Sequence, residues 1–168
     1  LTILMLRMAL HKLPHANMAA SSWLALGPIG TGALGMLLLG TDAPAIFAAN
    51  GLASVGEMAH GLGLIAGITL WGFGLWWMLI AVLITLRYLR AGIPFNLGWW
   101  GFTFPLGVYA LATLKLASLL QLEFFSVFGS VLVVALALMW LIVAKRTVQG
   151  AYKGELFVSP CIAGLANK

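Results

Sequence analysis

Charged residues are scarce in this chain, and their scarcity indicates its class. Asp, Glu, Lys and Arg make up 8% of the 168 residues, whereas 62% are hydrophobic, and the mean hydropathy is +1.07. A soluble domain of this size needs far more polar side chains to cover its surface, so the composition indicates an integral membrane protein. The net charge of +5 is dispersed along the chain. Because nucleic-acid binding requires a basic cluster, we expect no nucleic acid partner.

Cysteine pairs and catalytic motifs are lacking as well. A single cysteine, Cys161, excludes an internal disulfide framework and a multi-cysteine metal site. No serine lies in a Gly-x-Ser-x-Gly frame, which argues against a hydrolase. Glu57 and His60 have the i, i+3 spacing of one half of a di-metal carboxylate site, but no second half occurs. We therefore expect no enzyme activity, no metal and no other cofactor, and we assign Glu57 and His60 to a loop and a helix start.

The chain lacks a methionine start and a secretory signal peptide. It opens instead inside an apolar run, residues 1–10. As a helix this run would be about 15 Å long, which is about half the thickness of a bilayer core. We expect it to be the end of a membrane span that begins upstream, and we expect the chain to be a fragment of a longer protein.

Four long stretches of the chain carry no Asp, Glu, Lys or Arg. Each contains about the 20 apolar residues that a transmembrane helix needs. The predicted spans are B (residues 21–39), C (58–86), D (97–116) and E (124–144), preceded by the partial span A (1–10). The short connections between them favour antiparallel hairpins. The predicted fold is therefore an all-α integral membrane domain over residues 1–146, followed by a tail, residues 147–168.

The connections between the spans alternate in charge. Acidic residues lie between B and C (Asp42 and Glu57) and between D and E (Glu123). Cations lie between A and B, between C and D, and at the start of the tail: Arg7, Lys12, Arg87, Arg90, Lys145 and Arg146. By the positive-inside rule, the basic connections and the C-terminal tail are predicted to be cytoplasmic.

Spans B and D contain proline as well as several glycines. We read Pro28 and Pro105 as helix kinks, because a proline in a helix interior removes one backbone hydrogen bond and costs about 3 kcal/mol in water. Span C has no proline, but Gly63 and Gly67 form a small-xxx-small pair suited to close helix packing. Span E is mostly bulky and aliphatic. We therefore predict that B and D are inner helices and E an outer one, although Pro and Gly are common in membrane helices generally.

One stripe of span D joins Phe104, Val108, Leu111 and Lys115 at i, i+4, i+7 and i+11. Lys115 is either a snorkelling anchor or a cation that draws anions to a pathway. For Phe104, the spacing alone favours core packing over a barrier in a pore.

The threonines of the predicted inner helices allow two readings. Thr31, Thr103 and Thr113 either hydrogen-bond an anion or cap carbonyl groups within the bundle, and capping is the commoner role.

Two segments of the chain resemble a known family. They are LGPIGTGALGMLLLG (residues 26–40) and FNLGWWGFTFPLGVYALATLKLA (95–117), and they are similar to the tellurite-resistance/dicarboxylate transporter family. Its relatives include malate permeases, sulfite efflux pumps, a bacterial tellurite-resistance membrane protein and the slow anion channel of guard cells. The resemblance covers essentially the whole chain, as the C-terminal half of a family member.

The resemblance implies a fold and an assembly. Members of this family have ten helices in five hairpins, with both termini in the cytoplasm, and inner helices that surround a pore. Spans A to E would be the sixth to tenth helices, and the complete protein would form a homotrimer with one pore in each protomer. A phenylalanine of the ninth helix closes the pore in this family, and Phe104 matches it. The resemblance thus reverses the preference for core packing of Phe104.

We therefore expect a multi-pass protein of the plasma or inner membrane that transports small anions. The leading candidate is a C4-dicarboxylate such as malate. The alternatives are sulfite or another inorganic anion, including tellurite, and an accessory membrane subunit without its own pathway. Phe104 is the expected gate and Lys115 the expected source of anion attraction. The expected pore-lining residues are Thr31, Thr103, Gly101 and Val108.

Overall fold

The structure is a computed structural model that describes residues 16–92 and 95–154. The partial span A, residues 1–10, lies outside the described residues. The described chain contains two 3₁₀ segments, Ala16–Trp23 and Leu97–Phe102. Its α-helices are α1 (Leu26–Ala49), α2 (Ala53–Ala91), α3 (Thr103–Leu120) and α4 (Glu123–Lys153). They correspond in order to the predicted spans B, C, D and E.

Four stretches are long and apolar enough to cross a membrane: Ala20–Ala49, Ala53–Arg90, Leu97–Leu120 and Glu123–Lys153. The described residues form no strand, so the prediction of an all-α, multi-pass membrane protein is confirmed. Helix α2 is the longest of the four, with 39 residues. At 1.5 Å per residue it is about 58 Å long, about twice the thickness of a bilayer core, so it extends well beyond the hydrocarbon region.

The helices end later than the spans predicted from charge. Helix α1 runs to Ala49, so Asp42 lies within a helix and not in a connection. Helix α4 runs to Lys153, so residues 147–153 of the predicted tail continue it; residues 155–168 lie outside the described part of the chain. A charged side chain interrupts an apolar run, whereas a helix ends where its backbone turns. The residues that turn here are Gly51 and Gly154, whose φ angles of +75° and +72° suit only glycine well.

The four helices form two antiparallel hairpins, α1–α2 and α3–α4. Helices α1 and α3 lie side by side and run in the same direction. A methyl group on Gly27 would lie 3.2 Å from Cε1 of Phe104, and a methyl group on Gly30 would lie 3.1 Å from the backbone nitrogen of Tyr109. The end of the bundle that carries the cations is called the basic end. Its described cations are Arg87, Arg90, Lys145, Arg146 and Lys153.

Glycines bring α1 and α2 into direct backbone contact. A methyl group on Gly63 would lie 2.7 Å from the carbonyl oxygen of Met36 and 2.8 Å from Cα of Gly40. On Gly67 it would lie 2.5 Å from Cδ2 of Leu37. Real side chains do not approach backbone atoms this closely, so Gly63 cannot carry one without movement of a helix. The predicted close packing at Gly63 and Gly67 is confirmed.

Trp71 of α2 lies at the centre of the core. Its indole stacks on the ring of Tyr109, with centroids 5.9 Å apart, and meets Phe125 of α4 edge-on at 5.0 Å. Its Nε1 donates a hydrogen bond of 2.8 Å to Oγ1 of Thr113. The Tyr109 hydroxyl donates one of the same length to the carbonyl oxygen of Trp71. Polar contacts between helices stabilise a bundle in lipid, where apolar side chains gain little from leaving the solvent.

The two 3₁₀ segments are tied to the helices by tryptophan N–H groups. Nε1 of Trp23 donates to Oγ1 of Thr85 on α2 at 2.9 Å, and Nε1 of Trp100 donates to Oγ1 of Thr147 on α4 at 3.2 Å. These bonds fix the segments that lead into α1 and α3. Helix α4 has the fewest buried residues, in keeping with the predicted outer position: Phe125, Gly129, Leu132 and Val143.

Pro44 lies in the interior of α1. It lacks the N–H group that would bond to the carbonyl of Gly40, four residues earlier. Nδ1 of His60, on α2, lies 2.9 Å from that carbonyl oxygen. Because a carbonyl can only accept, Nδ1 is the donor. His60 therefore supplies the hydrogen bond that Pro44 removes.

We expect His60→Ala to lower the free energy of unfolding by about 1–3 kcal/mol, since it leaves the buried Gly40 carbonyl without a donor. His60→Asn, whose amide N–H stands close to the position of Nδ1, should retain most of the stability. In a Pro44→Ala background, the restored backbone N–H reaches Gly40 and His60→Ala should have little effect. Thermal unfolding of the detergent-solubilised proteins measures these differences, and equal losses in both backgrounds would contradict the assignment.

Candidate functional site

Helices α1 and α3 leave one common surface uncovered by the described residues. On both helices the exposed and half-buried positions recur at alternating steps of three and four, which places them on one side of each helix. Helix α2 packs on the opposite side of the pair. This surface is called the shared face. It consists of Pro28, Thr31, Gly35, Leu38 and Asp42 of α1 and Phe104, Val108, Leu111 and Lys115 of α3.

Phe104 lies on the shared face near the N-terminal ends of both helices. Its side chain is 62% exposed, and one edge of its ring rests on the backbone of α1 at Gly27. Core packing, which the spacing alone favoured, is therefore wrong for Phe104 within the described chain. The stripe predicted on span D is the stripe of exposed and half-buried residues on α3.

Thr31 differs from the other threonines of the described chain. Six of the seven described threonines donate a hydrogen bond to a backbone carbonyl three or four residues earlier in the chain: Thr41, Thr69, Thr85, Thr103, Thr113 and Thr147. No described residue accepts a hydrogen bond from the exposed hydroxyl of Thr31. The shared face thus carries a hydroxyl that can donate to a solute.

Two residues predicted to line a pore lie away from the shared face. Thr103 is buried, and its hydroxyl donates to the carbonyl oxygen of Trp100 at 2.8 Å. Gly101 faces the first 3₁₀ segment, because a methyl group there would lie 3.6 Å from Cβ of Ala20. Both belong to the turn where the second 3₁₀ segment passes into α3, so they do not follow the period of the helix that follows.

Lys115 and Asp42 place opposite charges on the shared face. Gly30 is level with Val108, so a rise of 1.5 Å per residue puts Lys115 about 10 Å and Asp42 about 18 Å beyond that level. No ion pair or hydrogen bond joins the side chain of Lys115 to any described residue. Asp42 was expected in a connection. Its spacing of four from Leu38 and seven from Gly35 is the signal that places it on the helix.

Pro28 and Pro105 occupy equivalent positions, each in the first turn of an α-helix that follows a 3₁₀ segment. They do not lie in a helix interior, where the kink prediction placed them. The carbonyl of Leu24, four residues before Pro28, accepts a hydrogen bond of 3.2 Å from the backbone N–H of Gly27. A proline in the first turn removes no helical hydrogen bond. These prolines therefore mark where the α-helices begin.

No group of three or more His, Cys, Asp or Glu that could hold a metal occurs among the described residues. What the shared face offers a solute is one cation, one carboxylate, one free hydroxyl and an apolar aromatic ring. Such a surface can attract and pass a small charged solute with weak contacts.

Comparison with known proteins identifies the class. The helices and the apolar composition define a multi-pass membrane protein, and the family model for the voltage-dependent anion channel matches residues 1–148. The chain belongs to the voltage-dependent anion channel family. The resemblance to anion transporters that the two sequence segments indicated is thereby confirmed.

Three relatives show the range of the family. A sulfite efflux pump of Trichophyton rubrum is 35% identical over 159 residues, which cover 94% of this chain and 42% of the pump. An uncharacterized transporter of Methanocaldococcus jannaschii is 34% identical over 148 residues, 88% of this chain and 40% of that protein. The malic acid transport protein of Schizosaccharomyces pombe is 28% identical over 139 residues, 82% of this chain and 30% of that protein.

The chain thus spans about two fifths of the length of the first two relatives. No solved structure matches the chain significantly.

Proposed function

We propose that the protein transports small anions across a membrane along the shared face, with Phe104 as the barrier. The observation that carries this proposal is the position of Phe104, Thr31 and Lys115 on one uncovered surface of two parallel helices. Membership of an anion channel family supports it. The described residues contain no group of three or more His, Cys, Asp or Glu that could hold a metal. The shared face contains the cation, the hydroxyl and the aromatic ring that the proposed transport role uses.

Sulfite is a stronger candidate cargo than the C4-dicarboxylate favoured at first. The sulfite efflux pump is more similar to this chain than the malic acid transport protein is, at 35% against 28% identity. Among the described residues the shared face carries one lysine and no arginine. A dicarboxylate is typically held by bidentate arginine contacts, whereas a compact anion needs only a point charge and a hydroxyl.

Flux measurements test the proposal. The protein expressed from its complete open reading frame is reconstituted in liposomes and offered sulfite, malate, nitrate or chloride. We expect flux of small inorganic anions to exceed that of malate. Malate flux above sulfite flux would reverse the choice of cargo. An accessory subunit without its own pathway predicts no flux of any of the four anions, and that result would overturn the transport function.

Lys115→Gln is expected to lower anion flux about fivefold at low salt, the factor that corresponds to ~1 kcal/mol of attraction at 4 Å in water. Asp42→Asn removes a charge of the opposite sign from the same face, so it should raise flux. Both effects should shrink as salt screens the charges. Lys115→Arg is the control that keeps the charge. If Lys115 is only an anchor to the lipid surface, Lys115→Gln will leave flux unchanged, and if the shared face is not the path, Asp42→Asn will leave flux unchanged as well.

We further propose that the basic end faces the cytoplasm of a plasma or inner membrane and that the complete protein is a homotrimer. The five described cations of that end support the orientation by the positive-inside rule. Labelling of single cysteines introduced at Tyr152 and Asn50 by a membrane-impermeant reagent tests it, since only Asn50→Cys should react from outside. Light scattering of the purified protein tests the trimer.

A further inference from the structure

We propose that Gly27 is a positioning residue for Phe104, because its backbone forms the surface against which the ring rests. A methyl group on Gly27 would lie 3.2 Å from Cε1 and 3.6 Å from Cδ1 of Phe104. It would also lie 3.8 Å from Cγ of Pro105. Glycine is therefore the residue that lets the ring lie directly on α1. The proposal thus adds a residue of α1, Gly27, to the barrier that Phe104 of α3 forms.

The ring of Phe104 is confined on one side only, by α1. In a helix an aromatic side chain adopts one of two χ1 rotamers. In the observed rotamer, the edge of the Phe104 ring meets the backbone of α1, which cannot give way as a flexible side chain could. A methyl group on Gly27 would require the near edge of the ring to shift by a few tenths of an ångström. Since the other side of the ring is uncovered by the described residues, that movement leads away from α1 and over the shared face.

This inference rests on the proposed function, because the expected readout is anion flux. Gly27→Ala should push the ring further over the path and lower flux at least about twofold, the factor for ~0.5 kcal/mol, which is the low end of the cost of an off-rotamer side chain. In a Phe104→Ala background there is no ring to push, so Gly27→Ala should change flux by less than about 1.5-fold.

The experiment is a cycle of four proteins in liposomes: the unchanged protein, Gly27→Ala, Phe104→Ala and the double variant. Gly72→Ala is the matched control. Gly72 lies on α2, and apart from its own turn of helix no described residue comes within 4 Å of the methyl group that this change adds. A change in flux that occurs only when Phe104 is present supports the positioning role. Equal changes in both backgrounds, or no change in either, overturn it.

A second measurement separates this inference from the proposed function. If Phe104→Ala leaves flux unchanged, the barrier role is lost, and thermal unfolding of the same four proteins then decides about Gly27. A methyl group that strains the ring should lower the midpoint in the presence of Phe104 and have a smaller effect without it. Unequal shifts in the two backgrounds support the contact, and equal shifts overturn it.

Discussion

Phe104→Ala is expected to raise anion flux at least about tenfold, the effect of lowering a barrier by ~1.4 kcal/mol. The ring is the largest apolar group of the shared face on α3, and it lies level with the beginning of both parallel helices. An anion that passes this ring loses water contacts, and the ring replaces them poorly, because its face repels an anion and its edge attracts one only weakly. Truncation of the Phe104 side chain to a methyl group leaves room for water molecules around the passing anion. Liposome flux of sulfite and nitrate by the protein from its complete open reading frame measures the change.

Phe73→Ala is the matched control for this prediction. Phe73 is an exposed phenylalanine of α2, outside the shared face, so its loss removes the same volume without touching the proposed path. Phe104→Leu should lie between the unchanged protein and Phe104→Ala, because it keeps part of the bulk. An inserted, monodisperse Phe104→Ala protein whose flux equals that of Phe73→Ala would reject the barrier role.

The fold class was predictable because charge has a simple physical meaning in a membrane chain. Each stretch without charge is long enough to span a bilayer, and each one lies in a helix that is long and apolar enough to cross a membrane. Helix ends were not predictable from charge in the same way. Asp42 interrupts an apolar run but leaves every backbone hydrogen bond intact, so α1 continues past it to Ala49.

The shared face was predictable in part. Phe104, Val108, Leu111 and Lys115 share a stripe because they follow the α-helical period, and the structure keeps them together. Thr103 lies where a 3₁₀ segment changes to an α-helix, and the sequence around it is apolar on both sides of that change. Periodicity assumes one helix type throughout, so it cannot find such a junction.

The bond between His60 and Gly40 was missed for a related reason. Once Asp42 is assigned to a connection, Pro44 lies outside any helix and no carbonyl is expected to lack a donor. The structure places Pro44 inside α1, which makes Gly40 the carbonyl that needs a partner. A polar side chain on the neighbouring helix is then required, and His60 meets that requirement. Because the end of α1 was predicted too early, the hydrogen bond from His60 to Gly40 was not expected.

Gly63→Ala is expected to disrupt the packing of α1 on α2 and to cost at least about 1–3 kcal/mol, the usual range for overpacking. The added methyl group would meet the carbonyl oxygen of Met36 at 2.7 Å and Cα of Gly40 at 2.8 Å. Both are backbone atoms of a helix, so relief requires the two helices to move apart. That movement would also pull His60 away from the Gly40 carbonyl.

Gly61→Ala is the matched control for Gly63→Ala, since it adds the same group to the same helix, where no described residue outside that turn of helix lies within 4 Å of it. It should be neutral or slightly stabilising, because alanine favours the helix more than glycine does. Thermal midpoints and the yield of monodisperse protein in detergent compare the two. In lipid, helices associate mainly through close contact and hydrogen bonds, not through the hydrophobic effect. If Gly63→Ala and Gly61→Ala have the same stability, direct backbone contact is not what holds α1 to α2. The aromatic and polar contacts of the core would then hold these helices together.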